Sequence, residues 1–120
     1  MKIPLIMFLL VGTLAHGQDA AKASPRNFKV LLENEYVRVI QDTLRPGEKE
    51  ALHSHPAGWY YVTMPGTMKV TYSSGKTVIW KAKAGEQAWM NAEAPHTSEN
   101  IGSTTIQYAL VEVKSASTKH

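Results

Sequence analysis

The 120 residues contain no cysteine. That excludes disulfides and a lipid-modified N-terminal cysteine. A domain of roughly 100 residues without such staples has to rest on its own core. Charge of one sign is also scarce. Lys and Arg total 13 against 10 Asp and Glu, a net +3, and the basic residues are scattered. Nothing marks a stripe that would follow a phosphate backbone, so nucleic acid is not an expected partner. There is no internal repeat and no low-complexity tract. Sustained helical periodicity is absent beyond the N-terminus, and only one stretch, Ile3 to Leu14, is a long apolar run. It is well short of the ~20 residues that cross a bilayer as a helix.

That run has a second meaning. Met1-Lys2 precedes it, and Ala15-His16-Gly17 follows with small residues on either side of the histidine. This is the form of a secretory signal peptide cleaved between Gly17 and Gln18. Residues 1–17 are therefore expected to be removed, giving an exported protein, periplasmic or secreted, without a stable membrane anchor. Residues 18–27 are Ala, Lys and Ser around one Pro, and read as a flexible lead-in.

From Phe28 the signals are β. "FKVLL" is a short apolar run, and "YVRVIQDTL" alternates about Arg38, the period of a strand with one buried face. Further strands are expected at 51–55, 59–64, 68–73, 77–82, 87–91, 96–100 and 105–113. Pro46-Gly47, Pro65-Gly66, Ser74-Gly75, Ala84-Gly85 and Gly102-Ser103 punctuate them with turn chemistry. Many short strands at this spacing imply one all-β domain, a sandwich or barrel, over residues 28–114, with a tail at 115–120. "TIQYALVEV" reads as a sheet edge.

Five histidines occur. His16 lies in the expected signal peptide and His120 is the last residue, and neither is assigned a role. His53 and His55 stand two apart on a strand, so their side chains share a face about 6.5–7 Å apart along the backbone. Imidazoles there can converge on an ion at ~2.0–2.2 Å, and His96 from a facing strand could close the set.

Gly47, His53, His55 and Gly66, at these spacings, resemble the first conserved motif of the cupin family. Gly85, His96 and Asn100, in "GEQAWMNAEAPHTSEN", resemble the second. The resemblance implies a double-stranded β-helix, or jelly-roll barrel, in a small single-domain cupin. It alone implies a homodimer, formed across a sheet edge such as "TIQYALVEV". It also implies a metal held by two histidines and a glutamate of the first motif and one histidine of the second. Carried over, the metal ligands are His53, His55 and His96, while the glutamate position falls at Trp59 or Tyr60. Asn91 and Glu93 also depart from the second motif.

Glu48, Glu50, Glu93 and Glu99 lie nearby. Glu50 is an odd number of residues from both His53 and His55, and Glu93 and Glu99 are an odd number from His96. Regular alternation puts them on the opposite face, as surface charge. The expected site is then three neutral histidines around a divalent metal ion that keeps its +2 charge. Fe, Zn, Mn, Ni and Cu are not distinguishable on this basis. If Trp59 faces inward, Tyr61 lines the same cavity, with Gln87 and Trp89 opposite. Tyr61 or Gln87 would then hydrogen-bond a small organic ligand. The alternative for these aromatics is core packing. Three functions follow: a metal-binding protein that holds a small-molecule ligand in the barrel, an Fe(II)-dependent dioxygenase-type enzyme, or a metal-free structural barrel.

Overall fold

A computed structural model describes residues 19–114. The expected signal peptide, 1–17, and the tail, 115–120, lie outside the described residues. One helical turn, α1 (Ala20–Ala23), precedes nine strands: β1 (Phe28–Glu33), β2 (Val37–Leu44), β3 (Lys49–His55), β4 (Gly58–Met64), β5 (Gly66–Tyr72), β6 (Thr77–Ala82), β7 (Gln87–Met90), β8 (Glu93–Asn100) and β9 (Ile106–Val113). The expected strands all appear. β3 begins two residues earlier and β8 three residues earlier than alternation alone suggests.

The strands form two antiparallel sheets. One has the order β1-β2-β9-β4-β7 and the other β3-β8-β5-β6. β2 and β9 pair without interruption from Val37 opposite Val113 to Leu44 opposite Ile106. Period two then sends Ile40, Asp42 and Leu44 inward from β2, and Ile106, Tyr108, Leu110 and Glu112 inward from β9; all seven are buried. Ile40, Leu44, Val62, Met68, Ile106 and Leu110 are each almost wholly buried and fill the apolar part of the barrel. Beside it lies a polar interior of Asp42, Glu50, His53, His55, His96, Ser98, Asn100 and Glu112.

Two glycines allow this closure. At Gly58 a Cβ would stand 2.1 Å from the Val111 carbonyl oxygen, so only glycine lets β4 approach β9 here. Gly85, at φ +85°, turns the chain into β7.

Two expectations are corrected. The lead-in is ordered over its described part. Ala20 is fully buried, the Ser24 hydroxyl accepts the Ala51 N–H at 2.8 Å, and Asp19 forms an isolated bridge with Ser54 and ion-pairs with Arg38. Alanines carry no hydrophobic period, so a single packed turn leaves no pattern to read. The second correction concerns β9. It is not an edge strand but pairs with β2 on one side and β4 on the other. Its long apolar run reflects that central position.

Candidate metal centre

The centre depends on an irregularity in β3. Glu50 pairs with Ser98, and His53 pairs with His96, so β3 advances three residues while β8 advances two. Such a bulge resets the parity of the strand. Past it, the register shifts again, and His55 pairs with Glu93. Consequently Glu50, His53 and His55 all point inward, although Glu50 and His53 are an odd number of residues apart.

The three rings meet there. Their centroids are 4.4 Å apart for His53–His96, 4.9 Å for His53–His55 and 5.6 Å for His55–His96. One ring nitrogen from each lies within 4.8 Å of the others, and all three residues are buried. Phe28 packs edge-on against both His53 and His55, and the Tyr72 ring lies beside His96.

Each ring is oriented by an acceptor at Nδ1. His53 Nδ1 lies 2.7 Å from the Ala51 carbonyl oxygen, His96 Nδ1 lies 2.7 Å from that of Ala94, and His55 Nδ1 lies 3.0 Å from Glu112 Oε2. Carbonyl and carboxylate oxygens only accept, so each Nδ1 carries the proton and donates it. In a neutral ring so held, Nε2 is the nitrogen that keeps its lone pair. His53 Nε2 is buried and without a hydrogen-bond partner. Burial also pushes the His53 imidazole down to about 3, so it is neutral across ordinary pH. His96 is lowered for the same reason. A neutral imidazole with its second nitrogen held by an outer partner is the form in which histidine binds a metal. The donor set therefore fits a divalent ion that accepts nitrogen ligands.

Glu112 belongs to this centre, although nothing in the motif spacing marks it. Its Oε1 accepts from Arg38 Nε at 3.0 Å and from Arg38 Nη2 at 2.8 Å, while Oε2 takes the His55 proton. Arg38 in turn binds Asp19. The legible signal was an acid at an inward position of an apolar strand, in phase with Ile106, Tyr108 and Leu110.

A cavity of about 250 Å³ opens beside His55 and His96. Its walls include Tyr60, Met68, Val70, Trp80, Met90 and Leu110, with Tyr72, Glu93, Ser98 and Tyr108 among the polar groups. The Tyr72 hydroxyl donates to Glu93 Oε1 at 2.6 Å. The Tyr60 hydroxyl and Trp80 Nε1 both donate to Glu86 Oε2, at 2.7 Å and 2.9 Å.

The expected pocket residues are elsewhere. Trp59 stands opposite Trp89, and Tyr61 opposite Gln87, so the four share one face of the β4–β7 pair. It is the outer face. Trp89 is 59 % exposed and Tyr61 36 %, Gln87 is exposed, and Trp59 is half-buried against Tyr61. Gly58, Tyr60 and Val62 take the inward parity, which Gly58 fixes through its contact with Val111. Position 59 thus cannot supply a ligand whatever residue it holds. Surface charge is likewise corrected for Glu50, which is 1 % exposed, and for Glu93, which lines the cavity.

No family model and no curated protein matches the chain. Solved structures do. A cupin domain from Bordetella pertussis Tohama I aligns with a TM-score of 0.67 at 20 % identity, over 73 % of this chain and 92 % of that one. A cupin family protein with a double-stranded β-helix fold from Methanocaldococcus jannaschii aligns at 0.58 and 18 %, over 72 % and 77 %. A protein from Thermotoga maritima, described as a predicted oxalate decarboxylase, aligns at 0.52 and 25 %, over 72 % and 79 %. The chain has the double-stranded β-helix fold of the cupin superfamily, in a small single domain whose histidine cluster could hold a metal ion.

Proposed function

We propose that this is a metal-binding cupin-domain protein, exported after signal-peptide cleavage. His53, His55 and His96 hold one divalent ion, and the adjoining cavity binds a small organic ligand. The observation that carries this reading is the common state of the three rings. Each Nδ1 is tied by an acceptor, and one ring nitrogen of each histidine lies within 4.8 Å of the others. Three buried histidines packed for structure alone would have no need of one shared orientation.

An ion held by neutral imidazoles acts as a Lewis acid toward an oxygen or nitrogen donor on the ligand. The cavity then decides which ligand arrives. Met68, Val70, Trp80, Met90 and Leu110 favour an apolar body, and a volume of about 250 Å³ limits it to a small molecule. Glu93 at the wall disfavours a second negative charge. The cavity therefore suits a small aromatic or aliphatic molecule with one metal-seeking donor better than a compact dianion such as oxalate.

The experiment is metal analysis of protein purified without chelator. It should contain close to one divalent ion per chain, and His53→Ala and His96→Ala should each lose it. Metal-free wild-type protein that takes up no ion on dialysis would reject the reading.

A further inference from the structure

Asp42 on β2 and Glu50 on β3 are the least expected residues of the interior, at 0 % and 1 % exposed. Their carboxyls lie against one another, with the Tyr108 hydroxyl near Asp42 and the Ser98 hydroxyl near Glu50. Even so, none of the four carboxyl oxygens has a hydrogen-bond partner of ordinary distance and angle. Among the described residues neither acid pairs with a lysine or arginine. Arg38 is committed to Asp19 and Glu112. A buried ionised acid left in this state is strongly unfavourable, so the pair calls for a proton or a cation.

The group nearest to hand is His53. Its Nε2 stands 4.0 Å from Glu50 Oε1, and it too is buried without a hydrogen-bond partner. The ring is neutral, so the two do not form an ion pair. They are two buried lone-pair donors standing side by side. Donor atoms that each sit ~2.0–2.2 Å from a single ion are at most ~4.4 Å apart. The observed separation satisfies that limit. Glu50 lies on the His53 side, outside the group of nitrogens within 4.8 Å of one another. To reach the ion as well, its carboxyl would have to turn toward His55 and His96.

We propose that Glu50 is the fourth protein ligand of the ion held by His53, His55 and His96. The inference rests on the reading that these histidines bind an ion, and deepens it. The anionic ligand comes from upstream of the two first-motif histidines, and the β3 bulge brings it inward. One carboxylate lowers the charge of the occupied site from +2 to +1. The site should therefore prefer a neutral or singly charged ligand, in keeping with the apolar cavity beside it.

The test uses the processed wild-type protein, stripped with chelator and titrated with Zn²⁺ alone. Wild type should bind one equivalent. Glu50→Gln should still bind it through the histidines, with affinity lower by at least the ~10–100-fold that loss of an outer partner costs. In wild type carrying ¹³C-labelled glutamate, infrared difference spectra should show one glutamate carboxylate band moving on Zn²⁺ addition. Unchanged affinity in Glu50→Gln, or no moving band in wild type, overturns the assignment. If the Glu50 variant does not fold, the infrared measurement is made in Glu112→Gln, where the carboxylate bound to His55 no longer contributes: a moving band there supports Glu50 and its absence overturns the assignment. Wild type that binds no Zn²⁺ at all overturns the metal reading itself, and that result is seen before any variant is made.

Discussion

Two faces of the five-stranded sheet are built from the same strands, residue by residue. Along β4, Trp59, Tyr61 and Thr63 face out while Gly58, Tyr60 and Val62 face in. Along β9, Ile106, Tyr108, Leu110 and Glu112 are buried, and the residues between them are less so. The outer face carries more conspicuous side chains, with Trp59, Tyr61 and Trp89 gathered on one strand pair. The inner face carries Glu112, the carboxylate tied to His55, and together with the four-stranded sheet across the barrel, where the three histidines stand, it walls the cavity. Conspicuous residue types therefore do not locate a site. A strand's parity decides which half of its residues can take part, and one glycine or one bulge sets that parity.

The contrast can be broken or sharpened by substitution. The largest effect is expected at the ligands. His96→Ala should reduce affinity for a divalent ion by more than about 100-fold, measured by competition with a chromophoric chelator. Next comes Glu112→Gln. It removes a charged acceptor from His55 and should cost ~10–100-fold in the same assay, with a loss of stability because the buried ion pair with Arg38 goes with it. On β4 the two faces can be compared at adjacent positions. Tyr60→Ala should lower unfolding free energy by about 1–2 kcal/mol in denaturant titration, less than the ~3–5 kcal/mol of a fully buried aromatic, because Tyr60 is half-buried.

A smaller effect concerns Asp19. The hydrogen bond from Arg38 holds its carboxyl below the usual carboxylate range. The folded-state value is below the unfolded one, so the stabilisation is present above about pH 4 and is lost as pH falls through the lowered value. Asp19→Asn should therefore melt below wild type at pH 6, and the gap should close in strong acid. The smallest effects belong to the outer face. Trp59→Glu should leave metal affinity unchanged, and Trp89→Ser should alter stability by no more than ~0.5 kcal/mol. A marked change in metal affinity from Trp59→Glu would mean that position 59 turns inward after all.

Much of the architecture was legible. Turn residues such as Ser74-Gly75 and Ala84-Gly85 separated the strands correctly, because those backbone positions restrict residue choice. His53 and His55 were legible because histidines at i and i+2 share a face, and His96 through the resemblance of Gly85, His96 and Asn100 to the second cupin motif. Glu50 was not, because regular alternation sends it outward and a bulge leaves no residue signature of its own. Trp59 and Tyr61 were placed inward by analogy with a glutamate position, whereas the contact between Gly58 and Val111 fixes the opposite phase. Asp42 and Glu112 could have been found. Each is an acid in phase with apolar neighbours, Ile40 and Leu44 in one case and Leu110 in the other. What the sequence could not supply was their partner across the barrel.

Titration of chelator-stripped protein with Co²⁺, followed by its visible d–d absorption, tests the central claim most directly. One equivalent should bind per chain, giving bands typical of nitrogen coordination, and His53→Ala should abolish them. Absence of bands in wild type, or the same bands after all three histidines are replaced by alanine, would contradict it.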